Sequence, residues 1–176
     1  MKVRYTWPAR LLHWLMAGII ITAWGIGFYA DRILPVGPSY NRAGLLAFHK
    51  EIATCIIILF VLRLAWRATH RPPEVEGALT EDQRFVVHVA HWALYGLMIL
   101  TPLTGWIMSS AHGYPVPMLW LVHLPPLVHK SPVLAPFFTS LHQLSSWVLG
   151  VFIAGHITAA LLHRFSRRDG IMDTML

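Results

Sequence analysis

Cysteine is almost missing from this chain. Cys55 is the only one in 176 residues, and it falls inside an apolar run. That excludes a disulfide framework, an iron–sulfur cluster, a dithiol relay and a CxxCH attachment site. Charge is scarce as well: 12% of residues are charged, where soluble domains carry about a quarter, while 56% are apolar. This balance points to the membrane class. Carboxylates are the rarest part of it. Asp and Glu together number 8, and within the apolar runs there is almost none beyond Glu51 near an end. No internal repeat or low-complexity stretch stands out. Four spans of about 20 residues each use roughly half the length and leave no room for a second, soluble domain. We therefore read residues 1–176 as one all-α domain, an integral membrane four-helix bundle.

The spans fall at about residues 9–30, 46–66, 85–109 and 144–165. The first is too long and too rich in tryptophan for a cleaved signal, and Pro8 stands at its first turn, where a missing N–H costs nothing. Pro102 sits inside the third. Basic residues set the orientation. With the N-terminus inside, the inner segments hold Lys2, Arg4, Arg10, Arg63, Arg67, Arg71, Arg84, Arg164, Arg167 and Arg168; the outer ones hold Arg32, Arg42, Lys50 and Lys130. Both termini are accordingly expected on the cytoplasmic side. The formal +6 charge is then an orientation signal, with contact to acidic lipid. It does not indicate nucleic acid, because it is divided among short juxtamembrane segments. The outer connection, about residues 110–141, is rich in proline yet apolar. It is expected to lie along the outer interface with Trp120 at headgroup depth, and it is more apolar than a loop built to attract an anion.

What the chain does have is histidine: eleven, several of them inside apolar segments, where an ionisable side chain is costly and usually functional. His142 and His156 are fourteen residues apart. At about 100° per residue they differ by only about 40° in azimuth, and they stand roughly 21 Å apart along one helix face. Two imidazoles stacked this way, one near each membrane surface, suit a helix that ligates two haems in series. Each haem then needs a second histidine at matching depth. His49 lies level with His142 near the outer end of the second span. At the inner level, spacing alone admits either His13 on the first span or His91 on the third. Arg63 follows His49 by the same fourteen residues, which puts it on the haem-facing side at the inner depth, either pairing with a propionate or snorkelling to the headgroups. Gly18, Gly25, Gly27, Gly150 and Gly155 offer low walls for a flat macrocycle, though close helix packing uses the same residues.

Four short motifs in order carry a resemblance. They are R-x-x-H-W (Arg10, His13, Trp14), a histidine opening span two with R-L-x-x-R closing it (His49, Arg63, Leu64, Arg67), H-x-x-H (His88, His91) and His142 with His156. Over nearly its whole length the chain resembles the bacterial cytochrome b561 family of small di-haem membrane cytochromes. The resemblance implies two haem b groups per chain, held by His13 with His156 at the inner level and His49 with His142 at the outer, and it decides for His13 over His91. It also implies an electron carrier of the bacterial inner membrane, linked to the quinone pool, with some members similar to superoxide oxidases. The periplasmic redox partner is left open. His163, one helical repeat beyond His156, is a candidate quinone contact; its plain alternative is an interfacial histidine among Arg164, Arg167 and Arg168.

Two rivals remain at this stage. One is a haem-bearing anchor subunit of a peripheral dehydrogenase or hydrogenase. The other is a non-haem metal protein or transporter using the histidines directly. Against the second, the intramembrane histidines divide between the two surfaces and carboxylates are lacking. His112, His123 and His129 in the outer connection have spacings that fit no standard metal pattern.

Overall fold

The computed structural model describes residues 4–35, 37, 41–71, 73 and 79–176. Four long helices dominate: α1 (Trp7–Phe28), α2 (Arg42–Thr69), α3 (Glu81–His112) and α4 (Leu134–Leu162). Helices α1 and α4 each run on through a π-helical turn, Tyr29–Ile33 and His163–Arg167. All four are long and apolar enough to cross a membrane, as about 20 residues suffice. Local sequence explains their ends. Pro8 opens α1. The Asn41 side chain accepts from Gly44 N at the start of α2. Thr80 and Gln83 form a capping box on α3, followed by Glu81 and Asp82 in the turn where the helix dipole favours negative charge. Gly113, at φ +80, closes that helix in the left-handed region.

The fourth helix begins well before the span expected at 144, and the connection is correspondingly short. Pro132 and Pro136 read as loop signals, but Pro136 lies in the first turn of the helix, where its missing N–H is no loss. Ser131 meets the opening turn through its hydroxyl, which accepts from Leu134 N at 3.2 Å, and its carbonyl, which accepts from Ala135 N at 3.0 Å. His142 is therefore two turns inside α4.

Helix α1 packs along α2 and α3 along α4, while α2 and α3 touch more sparingly. The result is two helical hairpins face to face. Their shared core is Met16, Ile20, Ile56, Phe60 and Leu149. Two heptads explain its depth. On α2 the buried Ile56 lies midway between His49 and Arg63, and on α4 the buried Leu149 lies midway between His142 and His156. The outward faces carry many exposed large apolar side chains, Ile21, Val61, Val151 and Leu162 among them, a concentration that suits contact with lipid.

The connection after α3 forms a small antiparallel hairpin, β1 (Val116–Met118) and β2 (Val122–Leu124). Its turn places Leu119 and Trp120 at φ 56 and 54, a strained pair without glycine. Helix α2 holds it there. Trp120 N donates to the buried Glu51 carboxylate at 2.8 Å, Thr54 Oγ1 to Pro117 O at 3.3 Å, and Lys50 Nζ to Pro115 O at 3.2 Å. We call this the hairpin end of the bundle. At the opposite, terminal end the two chain ends meet: Tyr5 N donates to Thr174 O at 3.0 Å and Trp14 Nε1 to Met175 O at 2.8 Å.

Candidate functional site

At the hairpin end His49 of α2 faces His142 of α4, with ring centres 6.3 Å apart and planes at 77°. At the terminal end His13 of α1 faces His156 of α4, with centres 6.1 Å apart and planes at 61°. These separations permit a direct test of fit. Metal–imidazole bonds are about 2.0–2.1 Å and the ring centre lies about 1.1 Å behind the bonding nitrogen, so two rings on opposite faces of one metal stand roughly 6.3 Å apart. Both pairs meet that requirement. His91 of α3 also approaches His156, at 5.6 Å and 74°, which is closer than such an axial pair allows.

The hairpin-end pair is held by one device used twice. His49 Nδ1 donates to Ala23 O at 2.8 Å, and His142 Nδ1 donates to Thr101 O at 3.0 Å. Both Nε2 atoms are left available. Each accepting carbonyl stands four residues before a glycine, Gly27 on α1 and Gly105 on α3. A Cβ at Gly27 would lie 3.2 Å from His49 Cε1, and one at Gly105 would lie 2.9 Å from His142 Cε1. The glycines are notches that let the rings reach the carbonyls. Gly27 was legible as a small residue near histidine. Gly105 was not, although its place four residues after Thr101 repeats the Ala23–Gly27 interval.

A cavity of about 410 Å³ adjoins this pair, walled by Trp24, Gly27, His49, Gly105, His142 and Trp147. That lies within the usual range for small-molecule and cofactor sites. Arg32, Arg42 and Lys50 also line it, and Arg42 is 3.3 Å from Asp31. These are three of the four cations counted on the outer side in the sequence, and they come from the ends of α1 and α2, not from the apolar connection. His112 forms part of the wall, bonded to Thr139 Oγ1 at 3.1 Å.

The terminal-end pair is held differently. Arg63 Nη1 donates to His13 Nδ1 at 3.1 Å, and its Nε donates to Tyr95 Oη at 3.4 Å. Arg63 thus lies at the terminal-end histidines, the level at which its spacing from His49 puts it. Two polar atoms are buried without a partner among the described residues, and each adjoins one of the pairs in sequence or contact. Arg10 Nε stands three residues before His13; Thr101 Oγ1 belongs to the residue whose carbonyl holds His142. Orphans so placed suit a polar group between the helices. On α3, His88 accepts from Trp92 Nε1 at 2.8 Å, while His91 Nδ1 bonds its own helix at Val87 O, 2.8 Å away.

His163 is not a loose interfacial histidine. Its Nδ1 donates to Asp169, whose other oxygen accepts from Ile171 N at 3.1 Å. Burial disfavours the Asp169 charge, but the hydrogen bonds from His163 and the main chain outweigh it and hold the carboxyl below its ordinary range. Asp169 was missed from sequence, since an acid six residues on has no helical reason to meet His163. The chain turns back after the π-helical turn, with Arg168 in the left-handed region. Beside the pair lies a second cavity of about 390 Å³, lined by His163, Arg164, Arg168 and Asp173 among others.

The family model described as prokaryotic cytochrome b561 matches residues 4–176. Cytochrome b561 homolog 2 of Escherichia coli (strain K12) is 27% identical over 173 residues, spanning 98% of this chain and 91% of that protein. Probable superoxide oxidase CybB of Yersinia pestis is 22% identical over 165 residues, spanning 94% and 91%.

Proposed function

The chain belongs to the prokaryotic cytochrome b561 family of membrane electron-transfer proteins that bind haem b, and from that premise we propose that it carries two haems and moves electrons across the bacterial inner membrane to or from the quinone pool. One observation carries this reading: two imidazole pairs, 6.3 and 6.1 Å between ring centres, at opposite ends of one bundle. His49 and His142 would hold one haem and His13 and His156 the other. Bound haem supplies a one-electron couple at each level.

The remaining work falls to the chain's own residues. Ala23 O and Thr101 O fix the tautomers of His49 and His142 and so keep Nε2 directed at a metal. Were His13 to hold a haem through Nε2, its ring proton would sit on Nδ1, which could not accept from Arg63; the Arg63 guanidinium would then be free, with Arg10, to pair with propionate carboxylates. The apolar core around Ile56, Phe60 and Leu149 keeps water out of the interval between the levels. With the terminal end cytoplasmic, as the basic residues favour, His163 and Asp169 lie where quinone reduction must draw its protons, and His163 is the candidate quinone contact.

The relative named as a probable superoxide oxidase suggests an outer donor. Arg32, Arg42 and Lys50 along the hairpin-end cavity are suited to drawing an anion there. Two superoxide ions would each give up one electron and leave as dioxygen; the two electrons and two cytoplasmic protons convert quinone to quinol. Quinone reduction driven by superoxide should then fall as salt is raised.

The primary test is a visible spectrum of the purified protein, oxidised and reduced, with a pyridine haemochrome assay. Low-spin b-type bands and about two haems per chain are expected. A preparation that shows no such bands after reconstitution with haem defeats the proposal.

A further inference from the structure

Helices α1 and α4 carry the terminal-end histidines, yet α1 packs along α2 and α4 along α3. Ties between the two are few. Toward the hairpin end Trp24 Nε1 of α1 donates to Ser146 O of α4 at 2.9 Å, and the Trp24 ring meets Trp147 edge-on at 5.6 Å. At the terminal end the chain's last residues make the connection. After the π-helical turn the backbone reverses at Arg168 and Gly170, at φ 53 and 79, and a short 3-10 turn, Met172–Thr174, brings it to the start of α1.

This strap is fixed at both ends. Its root is held by the His163–Asp169 and Arg164–Asp173 pairs. Its tip is held on α1, where Tyr5 N donates to Thr174 O at 3.0 Å and Trp14 Nε1 to Met175 O at 2.8 Å. Between them Thr174 is buried, its hydroxyl donating to Ile171 O at 2.7 Å. Chain ends are poorly ordered unless tied down, and these bonds offset the conformational entropy that ordering one costs.

The strap grips the neighbour of a candidate ligand. Trp14 follows His13 in the chain, and its ring stands edge-on to the imidazole, with centres 5.5 Å apart and planes at 82°. The start of α1 is held from α2 as well: Thr6 occupies the N-cap, but its hydroxyl accepts from Trp66 Nε1 at 2.9 Å instead of capping its own helix. A metal bonded to both His13 and His156 tolerates only about 0.2 Å of error in each bond, so the separation of α1 from α4 must be set closely at this level.

We propose that the C-terminal strap is a positioning element for the terminal-end site. By holding Trp14 it sets the distance of His13 from His156, and Trp14 is the positioning residue through which it acts. The effect on haem rests on the two-haem reading; the hold on α1 does not.

The test compares the purified holoprotein with Trp14→Phe, which keeps a ring and removes the donor, and with Trp7→Phe, the same change at a side chain 68% exposed. Amide hydrogen exchange at residues 7–13 should rise in Trp14→Phe and stay unchanged in Trp7→Phe. Transfer of haem to excess apomyoglobin should quicken about two- to tenfold for one haem of the two, as expected for the loss of a single hydrogen bond. Of the two low-spin electron paramagnetic resonance signals of the oxidised protein, only the terminal-end one should move, because such a signal depends on the angle between the ligating rings. His142→Ala, which removes the hairpin-end haem, identifies it. Unchanged exchange in α1, unaltered haem release, faster release of both haems or movement of the hairpin-end signal overturns the proposal. One haem per chain in the unmodified protein overturns the two-haem reading, while exchange in α1 still decides whether the strap holds that helix. Should Trp14→Phe fail to fold, Asp169→Asn frees the strap at its root, and the same outcomes are expected.

Discussion

Replacing Gly105 with alanine sets two effects of opposite sign against each other. Gly105 is interior to α3, and alanine in a helix interior is worth about 1 kcal/mol over glycine. On propensity alone Gly105→Ala stabilises the protein. The added Cβ, however, would lie 2.9 Å from His142 Cε1 and 3.1 Å from Nδ1. Carbon atoms prefer about 3.5–4.0 Å, so the ring must retreat by at least about half an ångström. The bond from Nδ1 to Thr101 O is now 3.0 Å; after that retreat it passes the useful limit of about 3.2 Å. Losing such a partner of a metal-bound histidine costs about 10–100-fold in affinity. The assay is haem per chain by pyridine haemochrome, with thermal unfolding of the detergent-solubilised protein alongside. Gly105→Ala should lose or weaken one haem of the two. Gly27→Ala, whose Cβ would stand 3.2 Å from His49 Cε1, should do so less. Gly96→Ala is the control, since nothing lies within 4 Å of its added carbon. Full haem content in Gly105→Ala with a raised unfolding temperature would refute the notch and the tautomer argument built on it.

Two further outcomes follow. His91 stands nearer His156 than a metal between them permits, so His91→Phe should keep both haems while His13→Leu loses one; the opposite result by haemochrome assay and reduced spectrum would transfer the ligand role to His91. The pairing that holds Asp169 below its ordinary range contributes stability above the unfolded carboxyl value of about 3.9. That contribution fades as pH falls through the lowered folded value, so hydrogen exchange at residues 169–175 should rise there in the native protein and be raised at every pH in Asp169→Asn.

Much of this was determined by the amino-acid sequence alone. Four apolar runs can only be four helices once water is absent, because each must satisfy its own backbone. Their histidines then have computable faces: fourteen residues return nearly to the same azimuth, which put His142 and His156, and separately His49 and Arg63, in register before any coordinates. The basic residues add an expected orientation by the same one-dimensional reasoning. What lay between helices was beyond reach, since helical periodicity says where a side chain points and nothing about what meets it. The start of α4 at Leu134 needed Ser131 seen at its opening turn, for a proline in a first turn and a proline in a loop read alike. Asp169 joined His163 only through the reversal of the chain after α4. Most of all, the carbonyls of Ala23 and Thr101 and the notch at Gly105 came from helices packed side by side. Main-chain groups have no sequence signature, so which imidazoles are anchored to carbonyls, and hence the contrast between the two ends, was decided by tertiary structure.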